Sequence, residues 1–105
     1  MISEKKLQEA AQRLAENFHP QKIILFGSYA RGNRDEHSDV DFLVVCPFKG
    51  SRRALMVAMD RTLSGIGFAR DIIVLTPEEF DRDRNIPGTI ARPAWKEGKV
   101  LYESL

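Results

Sequence analysis

A chain of 105 residues with 16 Lys and Arg, 15 Asp and Glu and a net charge of +1 has room for one compact domain, 1–105, around one modest core. Its basic residues, such as Lys5, Lys6, Arg52, Arg53, Arg82 and Arg84, lie among acids, so no strong footprint for nucleic acid or a membrane surface stands out. The single cysteine, Cys46, excludes an intramolecular disulfide, and the lack of a leader-like segment or a membrane-length apolar run predicts a cytoplasmic protein.

Leu7, Ala10, Ala11, Leu14 and Phe18 recur at helical spacing and predict an amphipathic helix over 3–18, ended by Pro20. "KIILF", 22–26, is a continuous apolar run and predicts a buried strand, broken by Gly27. Ser28 to Arg31 suits one helical turn with Ser28 as its cap, and 32–38 is a polar loop. "DVDFLVVC", 39–46, predicts a second strand. A helix follows over 51–63, with Leu55, Val57, Ala58, Met59, Thr62 and Leu63 supplying apolar surface and Gly65 and Gly67 suiting its C-terminal turn. "RDIIVL", 70–75, predicts a third strand, and Thr76-Pro77-Glu78-Glu79 starts a helix that stops by Arg84. A further helix over 89–97, in which Pro93 sets a start or a kink, precedes a final strand over 99–102. The order describes an α/β fold, a small mixed sheet flanked by helices.

The chemistry concentrates in "FGSYARGNRDEHSDVDF", 26–42. Alternate residues of a strand share a face, so Asp39 and Asp41 point the same way near the start of the second strand. Asp71 opens the third. A strand-helix-strand unit of this length makes parallel strands, which brings the two starts together. If the Gly27-Ser28 turn is to meet the same spot, the first strand runs antiparallel to the second. Three converging carboxylates form an anionic site, and two Mg²⁺ ions shared with substrate phosphates would relieve their repulsion. Gly27 lets the backbone approach a polyphosphate, Ser28 offers a hydroxyl and an N–H, and Arg31 offers charge. Asp60 and Asp81 are alternatives to Asp71, but both fall in helices. His37 reads as a loop residue, Ser38 as a residue orienting the loop, and Cys46 as a buried small hydrophobe.

"GSYARG" followed by "SDVD" resembles the signature of the DNA polymerase beta-like nucleotidyltransferase superfamily, and the shortness of the chain points to its minimal nucleotidyltransferase (MNT) branch. The resemblance extends from the leading helix through "RDIIVLTPEEF" to "EGKVLYE". It implies the mixed-sheet fold of that family. It also implies that Gly27 and Ser28 hold nucleotide phosphates and that Asp39 and Asp41 bind both metal ions. Asp71 would complete one metal site and favour deprotonation of the acceptor hydroxyl, while the role of Arg31 varies between branches.

Such a site transfers a nucleoside monophosphate from a nucleoside triphosphate, with pyrophosphate leaving. Minimal members commonly partner a HEPN protein, an all-helical RNase toxin that they neutralise by moving AMP from ATP to a tyrosine. The resemblance therefore implies a Mg²⁺-dependent protein adenylyltransferase acting as an antitoxin. A module that neutralises a partner by binding alone is the alternative from another class, and a nucleotidyltransferase acting on a small molecule or RNA is a third. The chain has no room for an acceptor-binding domain, so the acceptor is held by a partner chain, by a second copy of this chain, or in a shallow groove.

Overall fold

The computed structural model describes residues 2–27, 30 and 39–104. Along the chain run α1 (Glu4–Phe18), β1 (Lys22–Phe26), β2 (Val40–Val45), α2 (Arg52–Thr62), β3 (Arg70–Leu75), α3 (Pro77–Asp83), α4 (Ala91–Glu97) and β4 (Lys99–Glu103). These match the elements expected from the sequence to within a residue or two. The turn expected over 28–31 and the loop over 32–38 fall outside the described residues, Ala30 excepted.

Local chemistry accounts for the helix ends. Ser3 accepts the N–H of Lys6 and Ser51 that of Ala54, each as an N-cap. Helix α1 stops at His19, which takes the left-handed conformation (φ 51°) and donates its N–H to the Ala15 carbonyl. Thr76 and Glu79 form a reciprocal capping box at the start of α3. Pro93 is the third residue of α4, in the first turn, where no intrahelical partner awaits an N–H, so the helix starts two residues before it.

The sheet order is β3-β2-β1-β4, with β1 antiparallel to both β2 and β4 and β2 parallel to β3. The antiparallel first strand is the arrangement that convergence of the polar groups required. Alternation sorts the strand residues onto two faces. On one, Ile23, Leu25, Val40, Phe42, Val44, Ile72 and Val74 pack under α1 and α2. On the other, Ile24, Leu43 and Val45 pack under Phe80 of α3 and Ala91 and Ala94 of α4. Cys46 is buried in the first layer, and burial pushes its thiol up, as expected of a small hydrophobe.

One expectation fails on α2. Val57 and Ala58 face solvent, Val57 at 43% exposure, because the inward stripe runs through Leu55, Met59 and Leu63. Trp95 only partly covers the second layer, with its ring edge-on to Phe80 at 5.8 Å and the Arg84 guanidinium 4.8 Å over its face.

Two contacts lock the second layer in place. Gly98, just after α4, lies so close to β1 that a Cβ there would sit 2.4 Å from the Ala94 carbonyl oxygen and 2.5 Å from Ile24 Cγ2. At the other end, Arg52 of α2 grips Glu79 of α3 with two hydrogen bonds, at 2.9 and 2.8 Å. The fork of Arg52, helped by the N–H of Thr76, holds the Glu79 carboxyl down from its ordinary 4.5 to about 2.

Gly98→Ala is expected to cost about 1–3 kcal/mol in urea denaturation, because backbone on both sides leaves the new methyl nowhere to go. Glu79→Gln keeps a capping acceptor but removes the charge, so it should cost about 1 kcal/mol at pH 7. A carboxyl held low in the folded state stabilises above its unfolded value, and that contribution fades as pH falls through its folded value. The gap between wild type and variant should therefore be flat above pH 4.5 and close toward about 2 in melts across that range.

Candidate active site

The second layer is short. Helices α3 and α4 have seven residues each, and the apolar packing beneath them reaches Leu43 and Ile73. One step nearer the strand starts, the same face carries Asp41 on β2 and Asp71 on β3, with Asp39 two residues before Asp41. The carboxylates thus occupy the part of the sheet face that the apolar packing leaves uncovered.

The sheet register brings them together. Asp41 is the direct partner of Asp71 across the parallel pair and of Phe26 across the antiparallel pair. Phe26 leads into Gly27, which has φ +83°. A Cβ on Gly27 would lie 2.2 Å from Asp41 Oδ2, so only glycine lets this turn pass so near the carboxylate. Of the three acids, Asp41 is half-buried and Asp39 and Asp71 are exposed. Burial, then the charges of Asp71 and Asp39, push the Asp41 carboxyl above its ordinary value.

Burial contributes most to that shift, and the like charges of Asp71 and Asp39 add to it; a cation among the three carboxylates would relieve the charge part. The donors are all carboxylate oxygens, a set that suits a hard ion such as Mg²⁺. Among the described residues, no three His, Cys, Asp or Glu side chains are drawn close enough to hold an ion as they stand. The set fits such an ion in chemistry, and ligation calls for the exposed Asp39 and Asp71 to turn toward Asp41.

Of the residues expected from the sequence, Gly27, Asp39, Asp41 and Asp71 meet at this one end. Ser28, Arg31, His37 and Ser38 lie outside the described residues. The alternatives to Asp71 are elsewhere: Asp60 is bound by Arg70 at 3.0 Å, and Asp81 is exposed on α3. Sequence reasoning missed Arg70, which also donates to the Asp60 carbonyl at 2.8 Å and so engages that acid in a pair of its own. The only available signal was an Asp and an Arg ten residues apart, flanking a helix end and a strand start. The close fit of Gly27 against Asp41 was also missed, since it depends on strand pairing.

Comparison with known proteins identifies the family and the fold. The pattern of the family described as "Nucleotidyltransferase domain" matches residues 5–102. The chain is 34% identical over 104 residues to a protein of Methanocaldococcus jannaschii named "Putative protein adenylyltransferase", covering 97% of this chain and 100% of that one. A crystal structure titled as "a putative nucleotidyltransferase from Sulfolobus solfataricus" superposes with a TM-score of 0.62 at 28% identity, over 94% of this chain and 78% of that one. A toxin-antitoxin solved with AMP-PNP shares the fold, with a TM-score of 0.69 at 23% identity over 98% of this chain and 75% of that one. With its mixed sheet, its glycine turn and its carboxylates at the strand starts, the chain belongs to the nucleotidyltransferase domain family.

Proposed function

We propose that this nucleotidyltransferase is a Mg²⁺-dependent protein adenylyltransferase that moves AMP from ATP to a hydroxyl, a tyrosine of a HEPN-type RNase toxin, and so acts as an antitoxin. The observation that carries the reading is the half-buried Asp41, pressed against the Gly27 backbone, with its carboxyl raised first by burial and then by the charges of Asp71 and Asp39. Support for a protein acceptor comes from the adenylyltransferase name of the M. jannaschii relative, and support for the toxin from the fold shared with a toxin-antitoxin.

In this reading Asp39 and Asp41 would hold the two Mg²⁺ ions, and Asp71 would complete one of their sites. Bound Mg²⁺ would neutralise the triphosphate and stabilise charge on the attacking and leaving oxygens. Gly27 and Ser28 admit the phosphates close to the backbone, and Arg31 adds charge to the same groups. Asp71, on the outer strand, favours removal of the proton from the acceptor hydroxyl. The hydroxyl oxygen then bonds to the α-phosphorus, the bond to the bridging oxygen breaks, and pyrophosphate carries away the electron pair. Most of the rate comes from positioning and charge neutralisation.

Incubation with ATP, Mg²⁺ and the protein encoded beside this one should add the mass of one adenylyl group to that neighbour, read by mass spectrometry. An unchanged mass with ATP intact rejects the reading. Asp39→Ala combined with Asp41→Ala should lower transfer at least about a hundredfold and abolish neutralisation of the partner. Neutralisation that survives both changes assigns the function to binding alone. A separate readout needs no partner. A carboxyl raised in the folded state destabilises it where ionised, and that cost vanishes as pH falls below the unfolded value. Asp41→Asn should therefore melt higher than wild type at pH 7 in EDTA, by about 0.5–2 kcal/mol, with the gap closing as pH approaches the ordinary carboxylate range near 3.8.

A further inference from the structure

Among the described residues, strand β3 ends the sheet and its outer edge has no neighbouring strand. Val40 donates its N–H to the Ala69 carbonyl and Cys46 its N–H to the Leu75 carbonyl. In a parallel ladder with that phase, Asp71, Ile73 and Leu75 spend their backbone groups on β2, while Arg70, Ile72 and Val74 turn theirs outward. Arg52 already donates to the Val74 carbonyl at 2.6 Å. The edge is closed at that end and open at Arg70 and Ile72, on either side of Asp71.

A groove of about 410 Å³ runs along this open part, between β3 and the outer face of α2. Its apolar surface is Met56, Val57 and Ile72. Arg53 and Arg61 stand on its rim, and neither has an acidic partner among the described residues. Its acids are already engaged: Asp60 is held by Arg70, and Asp71 belongs to the candidate active site.

We infer that this groove holds the segment of the protein acceptor that carries the reacting hydroxyl, a stretch lying outside that partner's helices, as an extended strand added to the β3 edge with acidic residues on either side. The inference rests on the adenylyltransferase reading and deepens it. Free backbone groups on an edge strand ask for an extended peptide. Two arginines with no acidic partner among the described residues stand beside them and ask for negative charge. A residue paired alongside Asp71 presents its side chain on the same sheet face as that carboxylate. Single-stranded RNA would be expected to find aromatic rings to stack on, and among the described residues no aromatic side chain lines this groove.

The test uses the ¹⁵N-labelled full chain and two synthetic probes, a hexapeptide with one tyrosine among Asp and Glu and its counterpart with Lys at the acidic positions. The acidic peptide should shift the amides of Arg70, Ile72 and Val57 saturably and bind at least tenfold tighter than the lysine peptide. Arg53→Glu combined with Arg61→Glu, both on the surface, should reverse that preference. Shifts confined to β4, equal binding of both peptides, or no shifts at millimolar peptide overturn the inference. So does tighter binding of an oligoadenylate to the same amides. Adenylyl transfer from ATP to the partner protein is measured in parallel. Transfer with an unaltered KM in the double variant rejects the groove and leaves the reading. A groove that binds as expected beside a partner that gains no adenylyl mass rejects the reading instead.

Discussion

The parallel pairing of β2 with β3 is the constraint on which the site depends. It begins where Val40 donates to the Ala69 carbonyl at 3.1 Å, and from there the register sets Asp41 beside Asp71. Two carboxylates one strand apart repel, and neither would choose that neighbour in isolation. Apolar pairs further along the same strands, Leu43 with Ile73 and Val45 with Leu75, hold the register against the repulsion. A slip of one residue would turn those side chains to the wrong face and scatter the acids.

Binding and stability are thereby divided between the two ends of the same strands. At the C-terminal end, Arg52 bridges to Glu79 and to the Val74 carbonyl, tying the starts of α2 and α3 to the sheet. Opposite charges are satisfied there, and the Glu79 carboxyl is held low. At the other end like charges face each other, and the Asp41 carboxyl is raised. The first end can offset strain at the second because both belong to one ladder.

Much of this was legible in the sequence, for identifiable reasons. Continuous apolar runs marked β1 and β3, and Thr76-Pro77-Glu78-Glu79 marked α3, because each signal is local. Asp39, Asp41 and Asp71 could be placed together because a β-α-β unit leaves little choice of strand direction. Val57 and Ala58 were grouped with Leu55, Met59 and Leu63 as apolar surface of α2 although they face solvent, since composition alone does not say which side of α2 faces the sheet. The fit of Gly27 against Asp41 and the hold of Arg70 on Asp60 depend on pairing between separate segments, which no local pattern encodes.

The unequal cover of the two sheet faces follows from the same chemistry. Helices α1 and α2, of fifteen and eleven residues, roof a face on which β2 and β3 present Val40, Phe42, Val44, Ile72 and Val74. Cover is favourable along that whole face, because every contact buries hydrocarbon. On the other face Asp39, just before β2, and Asp41 give way to Leu43 and Val45, so cover is favourable only over the second half. Extending α3 or α4 by another turn across the first half would take three carboxylates out of water, at several kcal/mol for each one left charged and unpaired. Two seven-residue helices are what the apolar half can support. The acids therefore keep their repulsion beside water, where an incoming cation and phosphate can reach them.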